Sequence, residues 1–248
     1  MNKQFIFISG GLIIILMSAC NLMVGPFSVT QGSGNVISQD RAVSNFNQVS
    51  LGGFGELILT QGTSEGLKIE AEDNILPQIT SEVRNNTLYI DFKNQNWRNS
   101  IHPTKPIKFY VTYKNINGVS ISGAATVSAD QITTDNFSLN SSGASKINIG
   151  TLNAKSLDLN FSGGADCQIS GSVTSQNIVV SGMAHYNAAK LASDQVAIHI
   201  SGSGDTTIWA KNILDITISG AGVVNYYGQP KVIQNISGAG KINSLGTP

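Results

Sequence analysis

The stretch Leu157-Asp158-Leu159-Asn160-Phe161-Ser162-Gly163-Gly164-Ala165-Asp166-Cys167-Gln168-Ile169 is followed by Ile178-Val179-Val180-Ser181-Gly182-Met183-Ala184-His185-Tyr186 and by Ile198-His199-Ile200-Ser201-Gly202-Ser203-Gly204-Asp205-Thr206. These three segments state one motif: an apolar alternation runs into Ser-Gly and resumes a few residues later. The same mark stands at Ser122, Ser142, Ser219 and Ser237, so that successive copies are spaced 20, 20, 19, 20, 18 and 18 residues apart. A period this constant over seven copies is that of a solenoid.

Counting from each Ser gives the geometry of one turn. Apolar residues one and three positions before it, such as Leu159/Phe161, Ile178/Val180 and Ile198/Ile200, form the period-two pattern of a strand with one buried face. A second inward column falls five residues after the Ser, at Val127, Ile147, Cys167, Tyr186, Thr206, Val224 and Ile242. A third lies ten to twelve after it, at Ile132, Leu152, Val173, Leu191 and Ile213. Three apolar stretches per turn predict an all-β chain folded as a right-handed parallel β-helix or solenoid with coils of 18–20 residues, stacked about 4.8 Å apart. Short alternating strands with regular turns also fit an antiparallel β-sandwich or barrel, the alternative architecture. The Gly after each Ser is expected to supply a turn conformation that a Cβ disfavours.

Outward from the repeats, residues 35–118 are less regular. They carry strand patterns in Gln48–Thr60, Leu67–Ala71, Leu88–Phe92 and Ile107–Tyr113, a short helical turn at Ile75–Ile79, and a long loop at Asn94–Pro106 that holds Trp97, Arg98 and His102. They are expected to form the first coils of a single β-solenoid domain over 35–248, with the Ser-Gly-marked coils over 119–245. At the other end, Lys3 precedes an apolar run, Phe5 to Met17, too short to span a membrane and typical of a secretory signal. The end of that run, Leu16-Met17-Ser18-Ala19-Cys20, resembles the lipobox of bacterial lipoproteins. The resemblance implies a signal peptide at 1–19 and acylation of Cys20. Asn21, a residue other than Asp after the Cys, resembles the outer-membrane sorting signal of enteric bacteria. Residues 20–34, with Gly25, Pro26, Gly32 and Gly34, read as a lipidated tether. With Cys20 consumed by lipid, Cys167 has no partner for a disulfide.

The 248 residues include 26 Gly and 15 Lys/Arg against 15 Asp/Glu, for zero net charge, with 41 % hydrophobic and 12 % charged residues. Without clustered Lys/Arg there is no electrostatic footprint for nucleic acid. No catalytic or cofactor motif stands out, and none of the glycines has the strand-to-helix context of a phosphate loop.

The segments Gly34-Asn35-Val36, Arg41-Ala42-Val43-Ser44-Asn45-Phe46, Leu59-Thr60-Gln61-Gly62, Ile69-Glu70-Ala71-Glu72-Asp73-Asn74 and Thr87-Leu88-Tyr89-Ile90, together with the Ser-Gly repeats, resemble the bacterial family described as "putative auto-transporter adhesin, head GIN domain". The resemblance covers nearly all of the mature chain. It implies an exported β-helical domain, often with a lipoprotein signal, and adhesion as the inferred role, with no catalytic residues to carry over.

Two outward columns are candidate sites. Four residues after successive Ser marks stand Lys146, Asp166, His185 and Asp205, which stacking in register would place in one row. Asp166 and Asp205 would lie two coils, roughly 9–10 Å, apart, near the upper limit for an inverting glycosidase pair, with His185 between them. A carboxylate-imidazole-carboxylate row also has weak metal-binding chemistry, although no metal centre is expected. The bland alternative is a surface ladder whose opposite charges stack. Two residues before the marks, Asn140, Asn160, His199, Thr217 and Asn235 form a polar ladder that is either simply solvated or presented to a glycan. Cys167 belongs to the inward column, which makes it a buried thiol rather than a nucleophile. The reading is a lipid-anchored, non-enzymatic envelope solenoid, adhesin-like or scaffolding, on the periplasmic face or cell surface. Its expected partners are the membrane through the lipid and a glycan or an envelope or host protein, with neither cofactor nor nucleic acid. The competing readings are a carbohydrate-active enzyme with acids on its outward face, and a protein self-associating through the open end of the last coil, Ile236 to Leu245.

Overall fold

The computed structural model describes residues 28–93 and 99–248. From residue 144 onward the chain is almost entirely extended: Ala144–Phe161, Gly164–Val180, Met183–Ile200 and Ser203–Ile218 are continuous strands broken only at Ser-Gly. Each wraps once around the axis and pairs in parallel with the strand below it. The register runs Ala144↔Gly164↔Met183↔Ser203↔Ala221↔Ala239. Parallel stacking at this register places like residues over like, so the inward columns fuse into one core. Val127, Ile147, Cys167, Tyr186, Thr206 and Val224 are all buried, and Ile242 in the last coil is partly so. The architecture is therefore the parallel β-solenoid, not the antiparallel sandwich.

Two expectations at the level of single residues are corrected. The Gly after each Ser does not sit in the left-handed region; the positive-φ glycines are Gly34, Gly53, Gly55, Gly171, Gly228 and Gly246. A Cβ at Gly163 would instead overlap the carbonyl oxygens of Ser142 and Gly143 in the coil beneath, so the column is Gly because backbones approach too closely for a side chain. Ile213, placed in the third inward column, is 37 % exposed. The 18-residue spacing from Ser201 to Ser219 is taken up at the far bend, where pairing shifts between Ala188/Ala192 and again between Ser193/Gln195, so that Ala210 and Leu214 turn inward in its place. The 19-residue copy is absorbed in the same region, at Gly171 (φ 125°), where Leu152↔Gly171 follows a register shift. Length variation thus falls on the far bend and never on the Ser-Gly corner.

Residues 35–118 do stack as coils, but not in chain order. The strands Gln48–Leu51 and Phe54–Gln61 pair on one side with Gly118–Ile121 and Ala124–Thr133, and on the other with Thr87–Phe92 and Lys108–Tyr113. The chain lays down its second layer first, then passes beneath it. The passage runs through Gly66–Glu72, the 3-10 turn Leu76–Gln78 and Ile79–Arg84. These strands pair antiparallel to the first layer, and Val36–Arg41 pairs antiparallel to Gly66–Glu72, closing that end of the stack. At the opposite end, Lys231–Ile236 and Ala239–Ser244 each pair with one neighbour, and Ile233 and Ile236 stand exposed. Residues 28–34, part of the expected tether, include the strand Ser28–Gln31, which pairs in parallel with Asn99–His102 from the long loop. The signal peptide, Cys20, Trp97 and Arg98 lie outside the described residues.

Candidate functional site

The corner after each Ser-Gly sets the site. The third residue after the Ser points inward against the Ile, Val or Phe that precedes the Ser, and the space between them is tight. A Cβ on Gly222 would meet Ile200 Cδ1 at 3.0 Å, and one on Gly240 would meet Ile218 Cδ1 at 2.9 Å. Only Ala, Ser or Gly fits here, as at Ser145, Ala165, Ala184 and Gly204. In the coil at Ser142 both facing positions are Ser, and the buried Ser141 and Ser145 hydroxyls bond to each other at 2.7 Å. Outward beside this column, two residues after the Ser, the side chains are also short: Ala144, Gly164, Ser203, Ala221 and Ala239, with Met183 the one long exception. Stacked in register, the short residues floor a continuous groove of about 940 Å³ that runs along the solenoid and is lined mainly by apolar atoms.

The predicted charged row forms one wall of this groove. Lys146, Asp166, His185 and Asp205 are direct register partners, all exposed. The row continues past the predicted four, to Thr126 and Glu56 on one side and to Val223 and Lys241 on the other. Glu56 meets Lys108 at 3.9 Å, and His185 Nδ1 lies 3.9 Å from Asp205 Oδ2. Asn225 Nδ2 donates to Asp205 at 3.3 Å and in turn its Oδ1 accepts from Asn243 at 2.8 Å. Among the described residues Lys146 and Asp166 make no ion pair with each other although they are neighbours in the register. Nor are three His, Cys, Asp or Glu side chains grouped to hold a metal among those residues.

The sequence pattern gave the wall but not the floor. The signal was present in the dipeptides Ala144-Ser145, Gly164-Ala165, Ser203-Gly204, Ala221-Gly222 and Ala239-Gly240, each directly after a Ser-Gly mark. Smallness repeated in register is what makes a groove.

The second ladder lies on a different face. Asn140, Asn160, His199, Thr217 and Asn235 are in register, with Val179 interrupting between Asn160 and His199. Asn140 bonds Ser138 in its own strand at 3.2 Å. His102 closes the strand Asn99–His102, away from both rows.

Cys167 is fully buried, and burial with Asp166 nearby pushes its thiol well above the ordinary range, away from the reactive thiolate. Above it in the stack Tyr186 donates to Gln176 Oε1 at 2.9 Å, Gln176 bonds Ser193, and Ser193 donates to the Leu191 carbonyl at 3.2 Å. This chain of bonds satisfies the buried polar groups of Tyr186, Gln176 and Ser193.

A further constellation holds the entering chain. Glu72 is completely buried, yet accepts from Gly34 N at 2.6 Å, Thr104 N at 2.9 Å, Thr104 Oγ1 at 2.5 Å and Lys105 N at 3.4 Å. Burial raises its carboxyl, but the bonds from Thr104, Gly34 and Lys105 outweigh that and leave it below its ordinary value. Asp73 accepts from Ser33 Oγ and Asn35 Nδ2, and Asn74 bonds Ser33 N and the Gln31 carbonyl. The segment Glu72-Asp73-Asn74 is thus a clamp on residues 31–35.

Comparison with known proteins agrees with this architecture. No curated protein matches the chain. Among solved structures, a "putative adhesin" from Bacteroides fragilis superposes with a TM-score of 0.80 at 26 % identity, covering 87 % of this chain and 99 % of its own. A "putative lipid binding protein" from Parabacteroides distasonis gives 0.67 at 21 %, covering 88 % and 100 %. A "putative adhesin" from Parabacteroides merdae gives 0.63 at 20 %, covering 88 % and 99 %. The last two establish the shared fold alone. The profile described as "Putative auto-transporter adhesin, head GIN domain" matches residues 45–230, and to that family the chain belongs.

Proposed function

We propose that this protein is a non-catalytic, adhesin-like binding module of the bacterial envelope, anchored through lipid on Cys20 and exposed at the cell surface. The observation that carries the reading is the groove of about 940 Å³, continuous along the stack and open to solvent. Family membership supports the adhesin-like role, and the Leu16–Cys20 motif supports the anchor. Several acyl chains on one Cys hold a protein firmly, because each buried methylene contributes about 0.8 kcal/mol. The clamp at Glu72 would then fix residues 31–35, where the tether meets the solenoid.

The exposed row also supports binding over hydrolysis. A glycosidase acid is held protonated by a shielded, desolvated setting, whereas His185 and Asp205 are 56 % and 55 % exposed. The test is protease treatment of intact cells beside lysed cells, with mass spectrometry of the N-terminal peptide. Digestion on intact cells together with an acylated Cys20 is expected. Protection until lysis would end the surface-adhesin reading, and an unmodified Cys20 would end the anchor.

A further inference from the structure

The groove combines three properties that select its occupant. The first is shape. Because coil-length differences are absorbed at the far bend, the floor column stays in register from the coil of Phe54 to that of Ala239, with Phe54 and Met183 its two long side chains. At about 4.8 Å per step this is roughly 34 Å of open, elongated groove, which suits an unbranched polymer.

The second property is charge. Along the wall Glu56 is already paired with Lys108, and Lys146 and Lys241 are offset by Asp166 and Asp205. A polyanion would meet two carboxylates where it needs clustered cations. A polycation would meet two ammonium groups. The wall suits a neutral chain.

The third is the distribution of polar groups. The floor is the face of a sheet whose backbone N–H and C=O groups are already paired with the coils above and below. An extended peptide gains affinity by adding to a free sheet edge; the one at Ala239–Ser244 runs across the end of the groove, and none lies along its floor. A fatty acyl chain would use the apolar floor but would strip water from the charged wall without replacing its hydrogen bonds. A saccharide has what both lack. Its C–H faces lie on Ala, Gly and the flexible thioether of Met183. Its hydroxyls both donate and accept, so they pair with carboxylate, ammonium and imidazole alike, and with the exposed Ser hydroxyls that border the floor. In an extended pyranose chain one ring advances by nearly one coil spacing, so successive rings meet successive wall residues.

We infer that the groove binds a neutral, unbranched polysaccharide laid parallel to the solenoid axis, with Lys146, Asp166, His185 and Asp205 hydrogen-bonding its hydroxyls. This rests on the binding-module reading above and names its ligand class. The experiment offers the full chain a panel of neutral unbranched glucans and mannans, anionic polysaccharides, an extended peptide library and a fluorescent fatty acid. Retention of neutral members alone is expected. Gly164→Leu is the informative variant: a Cβ there meets nothing within 4 Å, so the backbone admits a side chain that projects into the groove. It is expected to weaken glycan binding about tenfold or more, roughly 1.4 kcal/mol, at an unchanged melting temperature. Asp166→Ala weakens it less, and Asn160→Ala, on the other ladder, leaves it intact. Preference for anionic chains, peptide or fatty acid overturns the inference, as does full glycan affinity in Gly164→Leu. In each of those cases a surface-digested protein remains a binding module with another ligand or face. A protein that is protected in intact cells and retains no member of the panel overturns both.

Discussion

Gly163 and Gly164 are adjacent, identical in type and opposite in tolerance. At Gly163 a methyl group would drive into the Ser142 and Gly143 carbonyls, and the latter is held in place by accepting from Gly164 N at 3.0 Å. Gly163→Ala is therefore expected to destabilise by about 1–3 kcal/mol, as overpacking of a filled interior does, and to lower the urea midpoint at constant slope. At Gly164 the added methyl meets open space, and Gly164→Ala is expected to leave the midpoint unchanged or slightly raised because the unfolded chain loses freedom. Equal losses from the two substitutions would contradict the stacking explanation for the Gly column. From the sequence alone the two look alike, because what separates them is the coil below.

At the scale of elements the informative strand is Gly66–Glu72. It pairs antiparallel with Lys108–Tyr113 on one side and Val36–Arg41 on the other, and its last residue enters the clamp. Glu72 carries a carboxyl whose folded-state pKa is lowered by its hydrogen bonds. A lowered carboxyl contributes stability that is present above its unfolded-state pKa and lost as pH falls through the folded one. The melting temperature of the protein is thus expected to fall as the solution is acidified below the ordinary carboxylate range. Glu72→Gln is expected to lower stability at neutral pH and to flatten that acid dependence, measured by thermal melts at a series of pH values. An acid limb as steep in Glu72→Gln as in the parent would assign it to other carboxylates, of which Asp73 and Glu70 are also lowered. The motif Ile69–Asn74 was visible as a family resemblance, yet its role was not. Its partners lie some thirty to forty residues away, at Ser33, Gly34 and Thr104.

The whole molecule behaves as a stack in which each coil touches mainly the coils next to it, so stability adds coil by coil. Excision of residues 143–162 joins Ser142 to Gly163 and preserves both the Ser-Gly mark and the register. The shortened chain is expected to fold with an undiminished β signature by circular dichroism, a cooperative melt and a groove one step shorter. Excision of half that length would lay the Ser-Gly corner of one coil over the far bend of the next, where no close backbone approach is accommodated, and is expected to abolish the cooperative melt. A half-coil deletion that melted like the parent would mean that register is not what holds the stack.

The Ser-Gly period, the inward columns at Cys167 and Tyr186, and the charged row from Lys146 to Asp205 were fixed by the sequence itself. Each is a repeat along the chain, and parallel stacking turns a repeat in sequence directly into a column in space. Only the tertiary structure decided the stacking order of the first coils, the antiparallel closure of that end, the clamp at Glu72 and the turning outward of Ile213. These depend on contacts between segments that share no period, or on where a shortened coil takes up its missing residues. The groove lies between the two cases. Its wall is legible as charge, but its floor is made of the absence of side chains, which acquires meaning only when eight corners are laid one upon another.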